Sequence, residues 1–273
     1  MQPGPDCTMK LICLAKLVPD VENFKYDYER NVLVRDGVHQ VINPEDVTAL
    51  ALALNIKKTF PETFIETVSM APLGAVPHLE DLIRRGVDRA TLITDSRYVG
   101  SDTYVTSRIL SRYIEKQSFD WILSGTHSLD GGTAHVAPQI AEILDIAQMS
   151  NIIDIDRDGL SSGTAVVEVD TDEAVSLFAV DAPALLSLQY STRLKLPYIA
   201  YENFQSDVRQ QISIIDNELL KFDESEIGFK GSLTKVVKAE VRKFDRKDTL
   251  FLHCDDAGIE AVYGFLRRKG FVT

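Results

Sequence analysis

Cysteine is scarce in this chain. Cys7, Cys13 and Cys254 make an odd count with no Cys-x-x-Cys pair. That argues against a disulfide scaffold and against an iron–sulfur or zinc cluster. The histidines His39, His78, His127, His135 and His253 form no His-Glu-x-x-His pattern. Neither Gly-x-Gly-x-x-Gly nor a Walker A motif is present, so the common dinucleotide and P-loop fingerprints are missing. No run approaches the roughly 18 uncharged apolar residues of a membrane span. Basic residues are outnumbered: 29 Lys and Arg against 41 Asp and Glu leave a formal charge of -12. Such a chain is poorly suited to non-specific nucleic-acid binding and well suited to a basic partner face. No charged segment leading into an apolar one opens the chain, and the reading is a reduced, cytoplasmic protein. Residues 1–8 are polar and contain two prolines. Met9 is read as the functional start, after a disordered extension.

What is present is an alternation. Lys10–Leu17 reads as a buried strand, and Phe24–Tyr28 with Val32–Asp36 as a hairpin turning at Glu29–Asn31. Asn43-Pro44-Glu45-Asp46 opens a helix: Asn as N-cap, Pro in the first turn, acids at the positive end of the dipole. Phe64–Met70 is a strand. Ala75–Arg85 is a helix closed by Gly86, whose exposed face carries Arg84 and Arg85. Ala90–Thr94 is a strand, Asp102–Lys116 a helix capped by Ser101, Trp121–Ser124 a strand, and Thr133–Leu144 a helix. This order implies an α/β fold with a mostly parallel, doubly wound sheet covered on both faces. The runs Asn151–Asp156, Thr164–Val169, Val175–Ala179 and Ala184–Gln189 read as antiparallel strands added at the sheet edge. Ser206–Lys221 is expected to be partly helical, and Ala257–Arg268 an amphipathic helix closed by Gly270. The nucleotide-binding domain is placed at 9–191, and residues 192–273 are read as a C-terminal arm that packs on another subunit.

The stretch Ser124–Thr133 carries most of the chemistry. It follows a strand and opens a helix, the place where open α/β sheets bind ligands. Gly125, Gly131 and Gly132 permit close backbone approach. The N–H groups at Thr133 and Ala134 are candidates to receive a phosphate. Asp130 is a candidate to orient a sugar or to hold the loop. His127 and His135 read as loop and helix-surface residues rather than metal ligands. No catalytic acid or base is called for.

Several segments, in order, resemble the electron transfer flavoprotein beta-subunit family. The first strand ends in a lysine, as in Leu11–Lys16. Asn43-Pro44-Glu45-Asp46 opens the first helix. Ser69-Met70-Ala71-Pro72 precedes a helix and then Arg85-Gly86-Val87-Asp88-Arg89-Ala90. Gly125 through Pro138 follows the pattern Gly-x-x-x-x-Asp-Gly-x-x-x-x-Val-x-Pro. The resemblance spans about residues 9–200 and implies a Rossmann-like sheet of the adenine-nucleotide-binding type. It implies a nucleotide among Leu14, Asn43, Asp46, Met70 and the loop Gly125–Val136, with the backbone of Gly131, Gly132, Thr133, Ala134, His135 and Val136 toward its phosphate. It implies a larger alpha subunit carrying a second flavin. Val34-Arg35-Asp36-Gly37, Gly100-Ser101-Asp102-Thr103 and the long tail resemble the bifurcating subgroup, which holds FAD and takes electrons from NADH. Asp102, Thr103 and Thr106 then count among the cofactor-binding residues. A non-bifurcating carrier holding AMP is the alternative, and an adenine-nucleotide sensor or stress-type binding protein is an alternative of another class. The implied partners also include an FAD-dependent dehydrogenase, lactate-type or acyl-CoA-type, and ferredoxin as low-potential acceptor. One departure stands out: Leu196–Gln205 carries aromatics and one acid where the family has a basic recognition segment.

Overall fold

The computed structural model describes residues 9–20, 25–27, 32–34, 39–171, 173–191, 193–234 and 251–272. The expected extension at 1–8, the turn at 29–31 and the residues 35–37 of the Val34–Gly37 motif lie outside them. Contacts divide the chain into two compact units, Met1–Lys235 and Val236–Thr273.

In the first unit the chain runs through β1 (Lys10–Leu14), β2 (Leu17–Pro19), β3 (Lys25–Asp27), β4 (Val32–Val34), β5 (Gln40–Ile42), α1 (Pro44–Thr59) and β6 (Phe64–Met70). It continues with α2 (Val76–Arg84), β7 (Arg89–Ile93), α3 (Thr103–Ile114), β8 (Trp121–Gly125), α4 (Val136–Leu144) and β9 (Ala147–Ile155). Then come α5 (Arg157–Ser162), β10 (Thr164–Asp170), β11 (Val175–Asp181), β12 (Ala184–Leu188), β13 (Ile212–Ile215), α6 (Asn217–Leu220) and α7 (Gly228–Gly231). The second unit contributes α8 (Asp256–Arg268). No helix among the described residues is long and apolar enough to cross a membrane.

The main sheet has the order β11-β10-β9-β12-β8-β1-β6-β7-β13. Every neighbouring pair from β9 to β13 is parallel, and β10 pairs antiparallel with both β9 and β11. β2–β5 and β3–β4 form two small antiparallel ribbons, the second being the hairpin read from sequence.

Helices cover both faces. Ala49 and Leu52 of α1 and Leu79 of α2 pack into one apolar cluster with Leu11 and Ile65. Val105 and Ile109 of α3 and Ile140 of α4 pack into a second with Ile12 and Val68. Neighbouring strand residues therefore feed opposite layers, as the pleat requires. α1 is apolar nearly all round and buried from Thr48 to Leu54, as a helix roofed by neighbouring elements must be.

Several sequence expectations are corrected. β12 is not an edge strand: it inserts between β8 and β9, parallel to both. Its residues Ala184–Leu188 are all buried, so the run lacks the alternation of a half-exposed strand. β9 is likewise parallel to its inner neighbour and begins at Ala147. Ser206–Lys221 supplies β13, a parallel strand beside β7, before the short α6. α3 is capped by Asp102 rather than Ser101, whose hydroxyl donates to the Tyr98 carbonyl at 2.7 Å instead. Leu194 and Leu196 pack on the core, Arg84 donates to the Ser206 carbonyl, and Arg85 donates to that of Pro197.

Candidate functional site

The sheet order reverses at β1. From β1 the chain passes through α1 to β6 on one side, and from β8 through α4 to strands on the other. The loops after β1 and β8 thus leave toward opposite faces and open a crevice at the carboxyl ends of adjacent strands, the topological switch point where such folds bind ligands. Leu14, Met70 and Gly125 end β1, β6 and β8 there.

The loop from Gly125 to His135 is held by the start of α1. Asn43 is 2% exposed and sits at the N-cap position, yet its side chain makes no cap bond. Its Nδ2 donates to the His127 carbonyl at 2.8 Å, and its Oδ1 accepts the Leu129 N–H at 3.0 Å. Both ends of one amide are spent on the loop, so the expected cap is replaced by a clamp. Glu45 accepts the His127 N–H. Asp46 is buried and accepts the N–H of Lys16 and the N–H of Gly125, each at 2.8 Å. Burial pushes its carboxyl up to about 6 against the pull of these donors and of Asn43. Asp46 therefore ties together the ends of β1 and β8. Gly125 has no room for a side chain: a Cβ would stand 2.6 Å from Cβ of Glu45 and 2.7 Å from Oδ1 of Asp46.

The far side of the loop is closed by a residue that sequence reasoning quoted without giving it a role. Lys16 Nζ donates to Asp130 Oδ1 at 2.6 Å and to Ser128 Oγ at 3.2 Å. Asp130 Oδ1 also accepts the Gly131 N–H at 2.7 Å. Partial burial works against its charge, but Lys16 and Ser128 hold the carboxyl below its ordinary range. The available signal was a lysine directly after the apolar run Leu11–Ala15.

α4 begins at Val136, three residues later than expected from Thr133. Gly132 (φ 60°) and Ala134 (φ 53°) adopt left-handed conformations that no right-handed helix contains. For alanine this conformation costs about 1 kcal/mol, and such strain concentrates at functional sites. Pro138 is tolerated because it lies in the first turn. Among the described residues none accepts a hydrogen bond from the N–H groups of Thr133, Ala134, His135, Val136 or Ala137. A row of free donors meets the positive end of the α4 dipole, the arrangement that suits an anion.

α3 starts next to α4. Ser107 Oγ lies 2.7 Å from the Thr103 carbonyl, 3.3 Å from the Val136 carbonyl and 2.9 Å from Gln139 Oε1. Thr103 and Thr106 are half-buried on the first turn. Asp102 Oδ1 caps that turn through the Val105 N–H at 3.0 Å. The structure thus gathers Leu14, Asn43, Asp46, Met70, the glycine loop and the starts of α3 and α4 at the carboxyl end of one sheet. Several of their polar side chains, Asn43, Asp46 and Asp102 among them, are engaged by protein groups. Among the described residues, the amides of Thr133 to Ala137 have no acceptor.

Residues 30–195 match the electron transfer flavoprotein domain. The chain is 33% identical over 245 residues to the electron transfer flavoprotein subunit beta of Thermoanaerobacterium thermosaccharolyticum, with 89% of this chain and 92% of that one covered. The electron transfer flavoprotein subunit beta of Megasphaera elsdenii is 32% identical over 269 residues, with 96% and 97% covered. The acryloyl-CoA reductase electron transfer subunit gamma of Anaerotignum propionicum is 30% identical over 240 residues, with 85% and 88% covered. Matches of that reach, on a doubly wound sheet with its loops open at the switch point, place the chain in the electron transfer flavoprotein family as a beta subunit, with a role in electron transfer.

Proposed function

We propose that this beta subunit holds FAD in the crevice between the loops after β1 and β8, and works in the cytoplasm with a larger alpha subunit in NADH-driven electron bifurcation. The carrying observation is the row of N–H groups from Thr133 to Ala137 at the start of α4, for which no described residue is an acceptor. Ser107, in the second turn of α3, reaches the Val136 carbonyl at 3.3 Å. A helix start lined with such donors suits the phosphates of a nucleotide. Leu14 and Met70 offer apolar surface at the ends of β1 and β6 for the adenosine. Bound there, FAD would supply a hydride acceptor for NADH and pass single electrons on, one to the alpha-subunit flavin and one to a low-potential acceptor such as ferredoxin. The chain's own work is positional. Asn43, Glu45 and Asp46 fix the loop, Lys16 and Asp130 close it, and the loop presents its amides.

A dehydrogenase, lactate-type or acyl-CoA-type, is the proposed consumer of the other electron. Tyr198 and Tyr201 are each 97% exposed and Phe204 is exposed beside them, with Arg85 fastening Pro197 below. Exposed aromatics without a base support an aromatic-compatible partner face rather than an acidic one. The two readings of the site separate by cofactor content. The heterodimer, purified and denatured, is expected to release two FAD and no AMP. One FAD with one AMP would make it a simple carrier, and neither cofactor would overturn the site.

A further inference from the structure

The antiparallel end of the main sheet is open on one face. Register sets Val166, Glu168 and Asp170 of β10 opposite Ala179, Leu177 and Val175 of β11, so all six point the same way. On β9, Asp154 stands opposite Glu168 and joins that face. The alternate residues Ala165, Val167 and Val169 point the other way and are buried in the core with Leu160 of α5. The first face has no such cover: Val166, Val175 and Leu177 are 40, 59 and 67% exposed.

Three features of this face work against the chain on its own. Asp154 and Glu168 are like charges set directly opposite each other, a pairing that destabilises a sheet. Among the described residues no Lys, Arg or His pairs with Asp154, Glu168 or Asp170. The exposed Val166, Val175 and Leu177 gather apolar surface beside these acids, and such patches mark interaction sites. β11 is also the end strand of the sheet, seven residues long, with no Lys or Pro to blunt its edge. Phe178 adds apolar surface on the other side of that edge, at 40% exposure. One partner surface answers all three features: apolar side chains over Val175 and Leu177, with Lys or Arg against the acids. A second copy of this chain does not. A two-fold pairing would bring the acids of both copies into one interface with no base on the face to meet them.

We infer that this face of β9, β10 and β11 is a docking surface for the larger subunit, which meets it with apolar side chains rimmed by Lys or Arg. The inference rests on the heterodimer reading and is independent of which nucleotide fills the crevice. The sequence placed subunit packing at 192–273 and gave this hairpin no role. The opposed acids are then a cost carried by the free chain and relieved in the complex, as features kept for function commonly are.

The test measures heterodimer affinity by ultracentrifugation of the full chain with its larger subunit, beside urea unfolding of the full chain alone. Glu168→Lys turns the like-charge pair into an opposite one. It is expected to raise the unfolding midpoint of the free chain and to weaken the heterodimer about tenfold by setting a cation against the partner's bases. The two effects have opposite signs, so misfolding cannot imitate them. Leu177→Thr keeps strand propensity while removing apolar surface. It is expected to leave the midpoint in place and to weaken the heterodimer about tenfold. Wild-type affinity is expected to fall as salt is raised, and that of Glu168→Lys to fall less steeply. Added larger subunit is expected to slow amide exchange across 175–181. Wild-type affinity in both variants would overturn the inference. Self-association of the free chain that Leu177→Thr abolishes would give the face to a second copy and overturn it equally. A wild-type chain that forms no heterodimer would instead overturn the pairing on which the inference rests.

Discussion

Asn43 gives the sharpest test of how the glycine loop is held. Asn43→Asp keeps the size and shape of the side chain. One oxygen still accepts the Leu129 N–H, but the other now faces the His127 carbonyl across a 2.8 Å gap that held a hydrogen bond. The site is 2% exposed and flanked by Glu45 and Asp46, so water does not shelter the new charge. A lost hydrogen bond costs about 1 kcal/mol, and an unpaired buried acceptor about 1 kcal/mol or more besides. Together these come to at least about 2 kcal/mol, or roughly thirtyfold in the population of anchored loop. The substitution carries a pH signature. Once protonated, the introduced carboxyl regains a donor toward His127, so its folded pKa is raised. The anchored state is then least impaired at low pH, and the deficit grows as pH rises through that pKa. Asn43→Leu has no such rescue. Nucleotide affinity measured by calorimetry at pH 5 and pH 8, each relative to wild type, reads this directly. Asn43→Asp should approach wild type at pH 5 and fall well below it at pH 8, while Asn43→Leu stays weak at both. Wild-type affinity at pH 8 for Asn43→Asp, or identical profiles for the two variants, would refute the clamp.

Other consequences follow from the same geometry. Asp46 has a folded pKa of about 6 against an ordinary 3.8, so it binds a proton more readily folded than unfolded. Its contribution to stability is full below the ordinary value and is lost as pH rises through 6, about 3 kcal/mol in all. Urea unfolding of wild type against Asp46→Asn should show their difference shifting by that amount between pH 4 and pH 7, and a pH-independent difference would contradict the burial argument. Gly125→Ala drives a Cβ into Glu45 and Asp46 and should lower stability by about 1–3 kcal/mol; an unchanged denaturation midpoint would show that α1 yields easily. Gly131 is the contrasting case, since a Cβ there meets only Ser128 Oγ, at 3.4 Å. Gly131→Val should therefore leave the midpoint in place while sharply weakening nucleotide binding, and unchanged binding would remove this loop from the site.

The parallel core was legible because periodicity and punctuation agreed. Phe64–Met70 stood out as a β-rich run, and Gly86 (φ 116°) marked the end of α2. The glycine loop was legible as a connection, since it joins a strand end to a helix. Its details were hidden because they depend on long-range partners. Asn43 satisfies every local rule for an N-cap, and nothing nearby in sequence announces that His127 and Leu129 will claim its amide. The late start of α4 turns on left-handed backbone at Ala134, a residue with no propensity for it. β12 was misplaced because spatial order is set by which neighbour completes the sheet, although Ala184–Leu188, apolar but for Ser187, was a usable sign of a central strand. The role of Lys16 was invisible for the same reason as that of Asn43: its partner Asp130 lies 114 residues away.

The account turns on the amides of Thr133 through Ala137 being the receptors for the nucleotide phosphate. Hydrogen exchange of the heterodimer, followed on the segment 125–140 with and without added AMP or FAD, addresses that claim most directly. Strong protection of these amides on addition of nucleotide, lost in Gly131→Val, is the predicted result. Binding of nucleotide with no change in exchange there would place it elsewhere on the molecule and contradict the account.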